Sequence, residues 1–235
     1  MILPIIVALV AGFIDSIAGG GGLITLPFLT IVLETPILAV GTNKILGTVG
    51  ALTAFIVYQR KHKADLKTGA LFCISISLGS VLGSKITMYL PAVFFNWILL
   101  ILSPIILYIV LNKEIMMKER FHHPKSAWLI FLSAIGCGIY DGAFGPGGGT
   151  FMLLALLLIA KLPLFLALTL SKLANTVSAG TALISFAHQG AINYKLGMTM
   201  ALTMTLGAFL GSRLASTHAM KIVRPTLVLV VSILM

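Results

Sequence analysis

Lys44 and Lys172 stand seven and eight residues inside apolar stretches that are long enough to cross a bilayer. A lysine at such depth costs about 2.5–3.5 kcal/mol on insertion scales. It either snorkels to the interface or meets a negative charge. Thr48 and Thr176 follow these lysines by four residues and share their helix faces. Asn43, Ser171 and Asn175 stand beside them. Upstream of each lysine lies a carboxylate followed by glycines: Asp15-Ser16-Ile17-Ala18-Gly19-Gly20-Gly21-Gly22, and Asp141-Gly142-Ala143-Phe144-Gly145-Pro146-Gly147-Gly148-Gly149. A helix does not easily continue through either run. In a membrane, broken backbone is tolerated where it is buried in protein or lines a cavity. New helices starting near Gly22 and Gly149 would expose unpaired N–H groups and about half a positive charge each. Glycine lets an anion approach them closely.

The expected substrate site is therefore an anion site built from Gly19, Gly20, Gly21, Gly22, Asn43, Lys44 and Thr48, with Gly145, Gly147, Gly148, Gly149, Ser171, Lys172, Asn175 and Thr176. The bland reading, tight hairpins and snorkelling lysines, explains one copy better than two. Asp15 and Asp141 have three roles open to them: capping amides, pairing with Lys44 or Lys172, or carrying a coupling proton. Exchange of either lysine for Met is expected to abolish anion binding and leave the chain folded.

The elements that must position these groups are helices. Of 235 residues, 59% are hydrophobic and 9% charged, and the mean hydropathy is +1.10. Soluble domains carry about 25% charged residues, so this is a polytopic membrane chain. Its long, continuous apolar runs exclude the alternating segments of a barrel. The net charge of +10 does not indicate nucleic acid, because Lys and Arg fall mostly in short loops, where they report orientation. Cys73 and Cys137 sit in apolar stretches and suggest neither a disulfide nor a metal site. His62, His122, His123, His188 and His218 fall in loops, and His122-His123 lacks metal spacing. No Gly-Lys-Ser/Thr follows a glycine run, and no histidine accompanies a Gly-x-Ser-x-Gly frame. No catalytic residue, metal or cofactor is expected. The start of the chain lacks signal-peptide features, so Met1 onward reads as a mature first helix.

In order, the chain predicts an apolar segment over 2–18, a shorter one over 23–33, and a turn at Glu34-Thr35-Pro36. A span over 37–59, a basic loop over 60–67 and a span over 68–90 follow. Pro91 turns the chain into a span over 92–112, with Trp97 and Tyr108 as interface anchors. Residues 113–125 are a polar, basic linker. The pattern then restarts: 127–144, 150–160, a turn at Lys161-Leu162-Pro163, 164–187, a loop from His188 to Lys195, 196–217, a loop from His218 to Pro225, and a last helix from Leu227. That helix reaches Met235, short of the roughly 20 residues a span needs, so its end is expected to be missing.

The restart is a repeat. Gly12-Phe13-Ile14-Asp15 aligns with Gly138-Ile139-Tyr140-Asp141 at an offset of 126. At an offset of 128, Lys44 and Thr48-Val49 align with Lys172 and Thr176-Val177, and Asp65-Leu66-Lys67-Thr68-Gly69 with Asn193-Tyr194-Lys195-Leu196-Gly197. Gly79, Gly83, Ser84 and Lys85 align with Gly207, Gly211, Ser212 and Arg213. The two Gly-x-x-x-Gly pairs read as close helix packing. The expected organisation is repeat 1 over 1–112, the linker over 113–125, and repeat 2 over 126–235. Each repeat is a glycine-broken hairpin followed by about three transmembrane helices. Loops 60–67 and 113–125 each hold four Lys/Arg and should lie in the cytoplasm. With three crossings per half the second repeat is inverted. Lys161, Lys221 and Arg224 then join the cytoplasmic side, leaving Lys195 and the near-interface Lys85 outside. Inverted repeats around a central site are a recurring transporter plan.

The segments Asp15 to Gly22, Gly41-Thr42-Asn43-Lys44, Gly142 to Gly149 and Ser171-Lys172-Leu173-Ala174-Asn175 resemble the sulfite exporter TauE/SafE family of membrane permeases, and the resemblance covers essentially the whole chain. It implies export of small sulfur-containing anions, sulfite or organosulfonates such as sulfoacetate, across the bacterial inner membrane. The expected function is thus a secondary transporter and not an enzyme. The alternatives are an anion channel of the same fold or a carrier of a non-sulfur organic anion. Its expected partners are the small anion and the lipid bilayer. A homodimer is suggested by the glycine-packed helices and by family habit.

Overall fold

The computed structural model describes residues 2–87, 89 and 127–234. They form eight helices: α1 (Ile2–Ala18), α2 (Gly22–Leu33), α3 (Pro36–His62), α4 (Leu66–Ile86), α5 (Ala127–Ala143), α6 (Gly148–Leu158), α7 (Leu164–His188) and α8 (Tyr194–Leu234). No strand occurs among the described residues. The expected turn at Pro91, the span 92–112 and the linker 113–125 lie outside the described residues.

Local chemistry explains most boundaries. Glu34 takes a left-handed φ of 55° and its N–H donates to Thr30 O, which closes α2, and Pro36 opens α3 at its first turn. Asp65 caps α4, accepting from Lys67 N–H at 3.1 Å and Thr68 Oγ1 at 3.0 Å. Its counterpart Asn193 caps α8, accepting from Leu196 N–H at 3.0 Å.

Three expected loops are shorter than their polarity suggested. Between α3 and α4, Arg60, Lys61 and His62 form the last turn of α3, so only 63–65 are non-helical. Cations suit the carbonyl end of a helix, and the His62 ring stacks on Phe165 at 4.1 Å. Residues 189–193 alone separate α7 from α8. The expected loop 218–225 is instead a break at His218 (φ −129°, ψ 35°), after which helix resumes through Pro225. The break bends the chain sharply. A β-carbon on Gly211 would touch Phe13, and one on Gly20 would touch Val230. Nineteen residues of straight helix would span about 28 Å, whereas Phe13 to Gly20 covers about 10 Å.

Small residues let the helices pack closely. A β-carbon on Gly83 would fall 2.1 Å from Ile139 O of α5, and one on Gly79 2.3 Å from Ile135 O. The matching positions Gly211 and Gly207 would clash with Phe13 O at 2.4 Å and Leu9 O at 2.0 Å of α1. Both glycine pairs are therefore used in packing within the chain. Gly207→Ala is expected to lower stability by about 1–3 kcal/mol through overpacking, read as the unfolding midpoint of the purified protein in detergent.

These contacts also fix directions. Along α4 and α5, and along α1 and α8, the paired positions rise together, so each pair runs parallel. Gly41 near the start of α3 meets Phe186 near the end of α7, and Gly47 meets Ala179, so α3 and α7 run antiparallel. Leu71, Ile74, Leu78 and Leu82 of α4 are exposed along one face, as are Met198, Leu202, Leu206 and Leu210 of α8. Together with Ile2, Ile6, Ile31 and Ile184 they form an apolar surface suited to hydrocarbon. Helices α3 and α4 are each long and apolar enough to cross a membrane. The described residues are those of an all-helical membrane protein.

Candidate functional site

The site grows from the two glycine breaks. After α1, Gly19 takes φ +84° and its N–H donates to Asp15 O at 2.8 Å, which ends the helix. Between α5 and α6, Gly145 (φ +103°) and Gly147 (φ +75°) perform the same reversal. The Tyr140 hydroxyl donates to Pro146 O at 2.6 Å and holds that turn. The two breaks meet each other. A β-carbon on Gly19 would lie 2.5 Å from the backbone of Gly149 and Thr150, and Thr150 Oγ1 donates to Ala18 O at 2.6 Å. Only bare backbone permits that crossing.

Two buried ion pairs tie each break to the opposite half of the chain. Lys44 of α3 reaches the second break: its Nζ lies 3.7 Å from Asp141 Oδ2 and donates to the Asp141 carbonyl. Lys172 of α7 reaches the first: its Nζ lies 3.8 Å from Asp15 Oδ2 and donates to the Asp15 carbonyl. All four residues are at most 5% exposed. Asp15 also caps an amide, accepting from Gly21 N–H at 3.0 Å. Capping and pairing, two of the three roles open to the carboxylates, thus coexist. Removing one partner of such a pair strands a buried charge, which costs about 3–5 kcal/mol.

Between the breaks lies a small cavity lined by Asp15, Gly19, Gly22, Thr25, Asn43, Lys44, Gly47, Asp141, Gly145, Gly149, Asn175 and Met204. The centre of a water-sized sphere has about 30 Å³ in which to move there, room for a group of a few atoms. In the first turns of α2 and α6, the N–H groups of Leu23, Ile24 and Thr25, and of Gly148, Thr150 and Phe151, find backbone acceptors within their own turns. The Gly22 and Gly149 N–H groups have no such acceptor. Asn43 and Asn175 stand over these two positions. A β-carbon on Gly22 would lie 3.5 Å from Asn43 Nδ2, and one on Gly149 3.2 Å from Asn175 Nδ2. Thr25 Oγ1 lies 2.5 Å from Asn43 Oδ1, so the amide oxygen is occupied and the NH₂ faces the glycine.

Of the residues expected at the site, Gly19, Gly22, Asn43, Lys44, Gly145, Gly149 and Asn175 line the cavity. The others stand around it. Gly20 packs on Val230, Gly21 lies over Asp15, and Gly148 abuts Asp141. Gly147 provides the left-handed turn before α6. Lys172 stands behind Asp15. Thr48 and Thr176 donate back to Lys44 O and Lys172 O, and Ser171 to Leu168 O. Thr25, Gly47 and Met204 line the cavity without having been expected there. Thr25 was the findable one, as a hydroxyl in the first turn after the break, whereas Met204 has no signal within an apolar helix. Ser178, which donates to Asp141 Oδ2 at 2.6 Å, stands six residues past Lys172 and was also missed. Among the described residues no cluster of metal-ligating side chains occurs, and both cysteines are free.

A family model described as "Sulfite exporter TauE/SafE" matches residues 4–235. "Probable membrane transporter protein ORF9" of Sinorhizobium sp is 36% identical over 228 residues, covering 96% of this chain and 87% of its own length. "Probable membrane transporter protein YfcA" of Escherichia coli K12 is 36% identical over 231 residues, covering 97% and 85%. A "Probable membrane transporter protein" of Haemophilus influenzae is 34% identical over 226 residues, covering 95% and 88%. No solved structure matches the chain.

Proposed function

Because the chain belongs to the sulfite exporter TauE/SafE family of membrane transporters, we propose that the cavity between its glycine breaks is the substrate site of an exporter of small sulfur-containing anions. Sulfite and organosulfonates such as sulfoacetate are the intended class. One observation carries this reading. Two residues with acceptor-less amides, Gly22 and Gly149, and two asparagines, Asn43 and Asn175, line one small cavity. Four donors in a low-dielectric pocket at two helix starts suit an oxyanion. The lysines do not leave the site strongly cationic, since Asp15 and Asp141 balance them. Attraction then comes from oriented N–H groups, with the buried Lys44 forming part of the cavity wall.

The small, partly closed cavity supports alternating access over an open channel. Sulfite has the right size for it as it stands, and a longer organosulfonate requires one side to open. The repeats are inverted in this reading. The antiparallel run of α3 against α7, the parallel pairs α1–α8 and α4–α5, and the reciprocal ion pairs all support a two-fold axis across the helices. The basic ends also gather. His62 meets Phe165, and Arg60 and Lys61 share a surface groove with Arg213, Ser216 and Thr217. That supports placing 60–67, Lys161 and Lys221 on one side, the cytoplasm, of a bacterial inner membrane.

Counterflow in proteoliposomes tests the function. Vesicles loaded with unlabelled sulfite should accumulate labelled sulfite, and Asn175→Ala should raise the half-saturating concentration about tenfold for a lost charge-assisted hydrogen bond. Steady leakage with no counterflow would indicate a channel. No flux of sulfite, sulfonates or carboxylates would contradict the proposal.

A further inference from the structure

The two halves hold their carboxylates differently beside the cavity, and one difference bears on what moves with the anion; it rests on the anion-transport reading. Asp141 Oδ2, the oxygen facing Lys44, also accepts a hydrogen bond from Ser178 Oγ at 2.6 Å. Ser178 is itself held, since its carbonyl accepts from Ser80 Oγ at 2.7 Å. At the offset of 128 that relates α3 to α7, the counterpart of Ser178 is Gly50, which has no hydroxyl to give, and the counterpart of Ser80 is Ala208. Asp15 Oδ2, the oxygen facing Lys172, is enclosed and has no hydrogen-bond partner. Its charge is met by Lys172 Nζ at 3.8 Å, while Oδ1 is held by Gly21 N–H.

The surroundings of this carboxylate are few. Lys172 comes from α7. Lys44 and the Tyr58 hydroxyl, which donates to Ser16 O at 2.9 Å, come from α3. Asp141 of α5 lies across the cavity, α8 brings Met204, and α6 brings Thr150, whose hydroxyl is already donated to Ala18 O. With both ion pairs charged the cluster is neutral, so an entering anion adds one uncompensated negative charge to a buried site.

We propose that Asp15 takes up one proton as the anion binds, so that anion and proton cross together, while Asp141 stays ionised as the fixed partner of Lys44. The proton comes from water on the side where the anion enters, forms an O–H bond at Asp15 Oδ2, and returns to water on the other side. No other bond changes. Uptake of the proton also frees Lys172 of its counter-charge at the moment an anion needs it.

The test uses the full chain in liposomes enclosing a pH-sensitive dye. Methanesulfonate and sulfate are the probes, because neither titrates near neutral pH. Uptake of the carried anion should acidify the lumen in step. Gly50→Ser supplies the missing hydroxyl, and its β-carbon would press on the flexible end of Met204, 2.9 Å from Cε. That variant should still carry the anion, with acidification per anion lowered about tenfold, the worth of a hydrogen bond to a charged group. Asp15→Asn should lose acidification altogether. Anion flux without acidification in the unmodified protein would overturn the inference and leave the transport reading standing. So would undiminished acidification per anion in Gly50→Ser. Absence of any flux would overturn both.

Discussion

Lys44→Met is expected to destabilise the protein by about 3–5 kcal/mol, because it strands the Asp141 carboxylate in a buried site. From the sequence the exchange looked harmless to folding. The structure reverses that, since the Lys44 ammonium is the charge partner of Asp141 and also donates to its carbonyl. Ser178 alone would remain on the carboxylate. The paired variant Lys44→Met/Asp141→Asn removes the stranded charge and should recover most of the stability. It should not recover anion binding, because Lys44 also faces the cavity. Unfolding midpoints of the three proteins, with binding of a labelled anion, separate the two effects. A single variant as stable as the parent would show that the ion pair does not hold the centre together. The same reasoning applies to Lys172 and Asp15.

Gly19→Ala should have an effect of similar size through sterics alone. Its φ of +84° costs an L-residue about 1–2 kcal/mol. Its β-carbon would sit 2.5 Å from backbone atoms of Gly149 and Thr150, which cannot swing aside as a side chain can. Overpacking adds about 1–3 kcal/mol. The two breaks would be pushed apart, so the cavity should lose its anion as well as its stability. Gly136→Ala is the control. A β-carbon there meets nothing within 4 Å, and removing a mid-helix glycine should stabilise by about 0.5–1 kcal/mol. Equal melting of Gly19→Ala and the parent would contradict the crossed-break geometry.

Much of the organisation was legible in the residues themselves. Glycine and proline end helices for local reasons, so α1 and α2, and α5 and α6, fall close to where the glycine runs predict. The repeat singled out Lys44 and Lys172 together, because an unusual residue at matching depth in two copies is hard to read as accident. What could not be read was the exchange between halves. Lys44 pairs with Asp141, 97 positions away, and nothing local prefers it to Asp15. Polarity also misled. Arg60 to His62 and the stretch after His218 look like loops, yet both remain helical because cations suit a helix C-terminus and a single break at His218 suffices to bend the chain. Met204 lines the cavity from an apolar helix face, where nothing distinguishes it from a packing residue.

The most direct measurement of the central claim is anion-dependent thermal stabilisation of the purified protein and of its Asn43→Ala/Asn175→Ala variant. A ligand that binds the folded protein stabilises it by about 2.7 kcal/mol at one hundred times its dissociation constant. Sulfite or an organosulfonate should raise the unfolding midpoint of the parent. The double variant lacks the two amides facing Gly22 and Gly149 but keeps both ion pairs, so it should fold and lose most of that shift. An equal shift in both proteins would place the anion elsewhere, and no shift with any anion would contradict a central anion site.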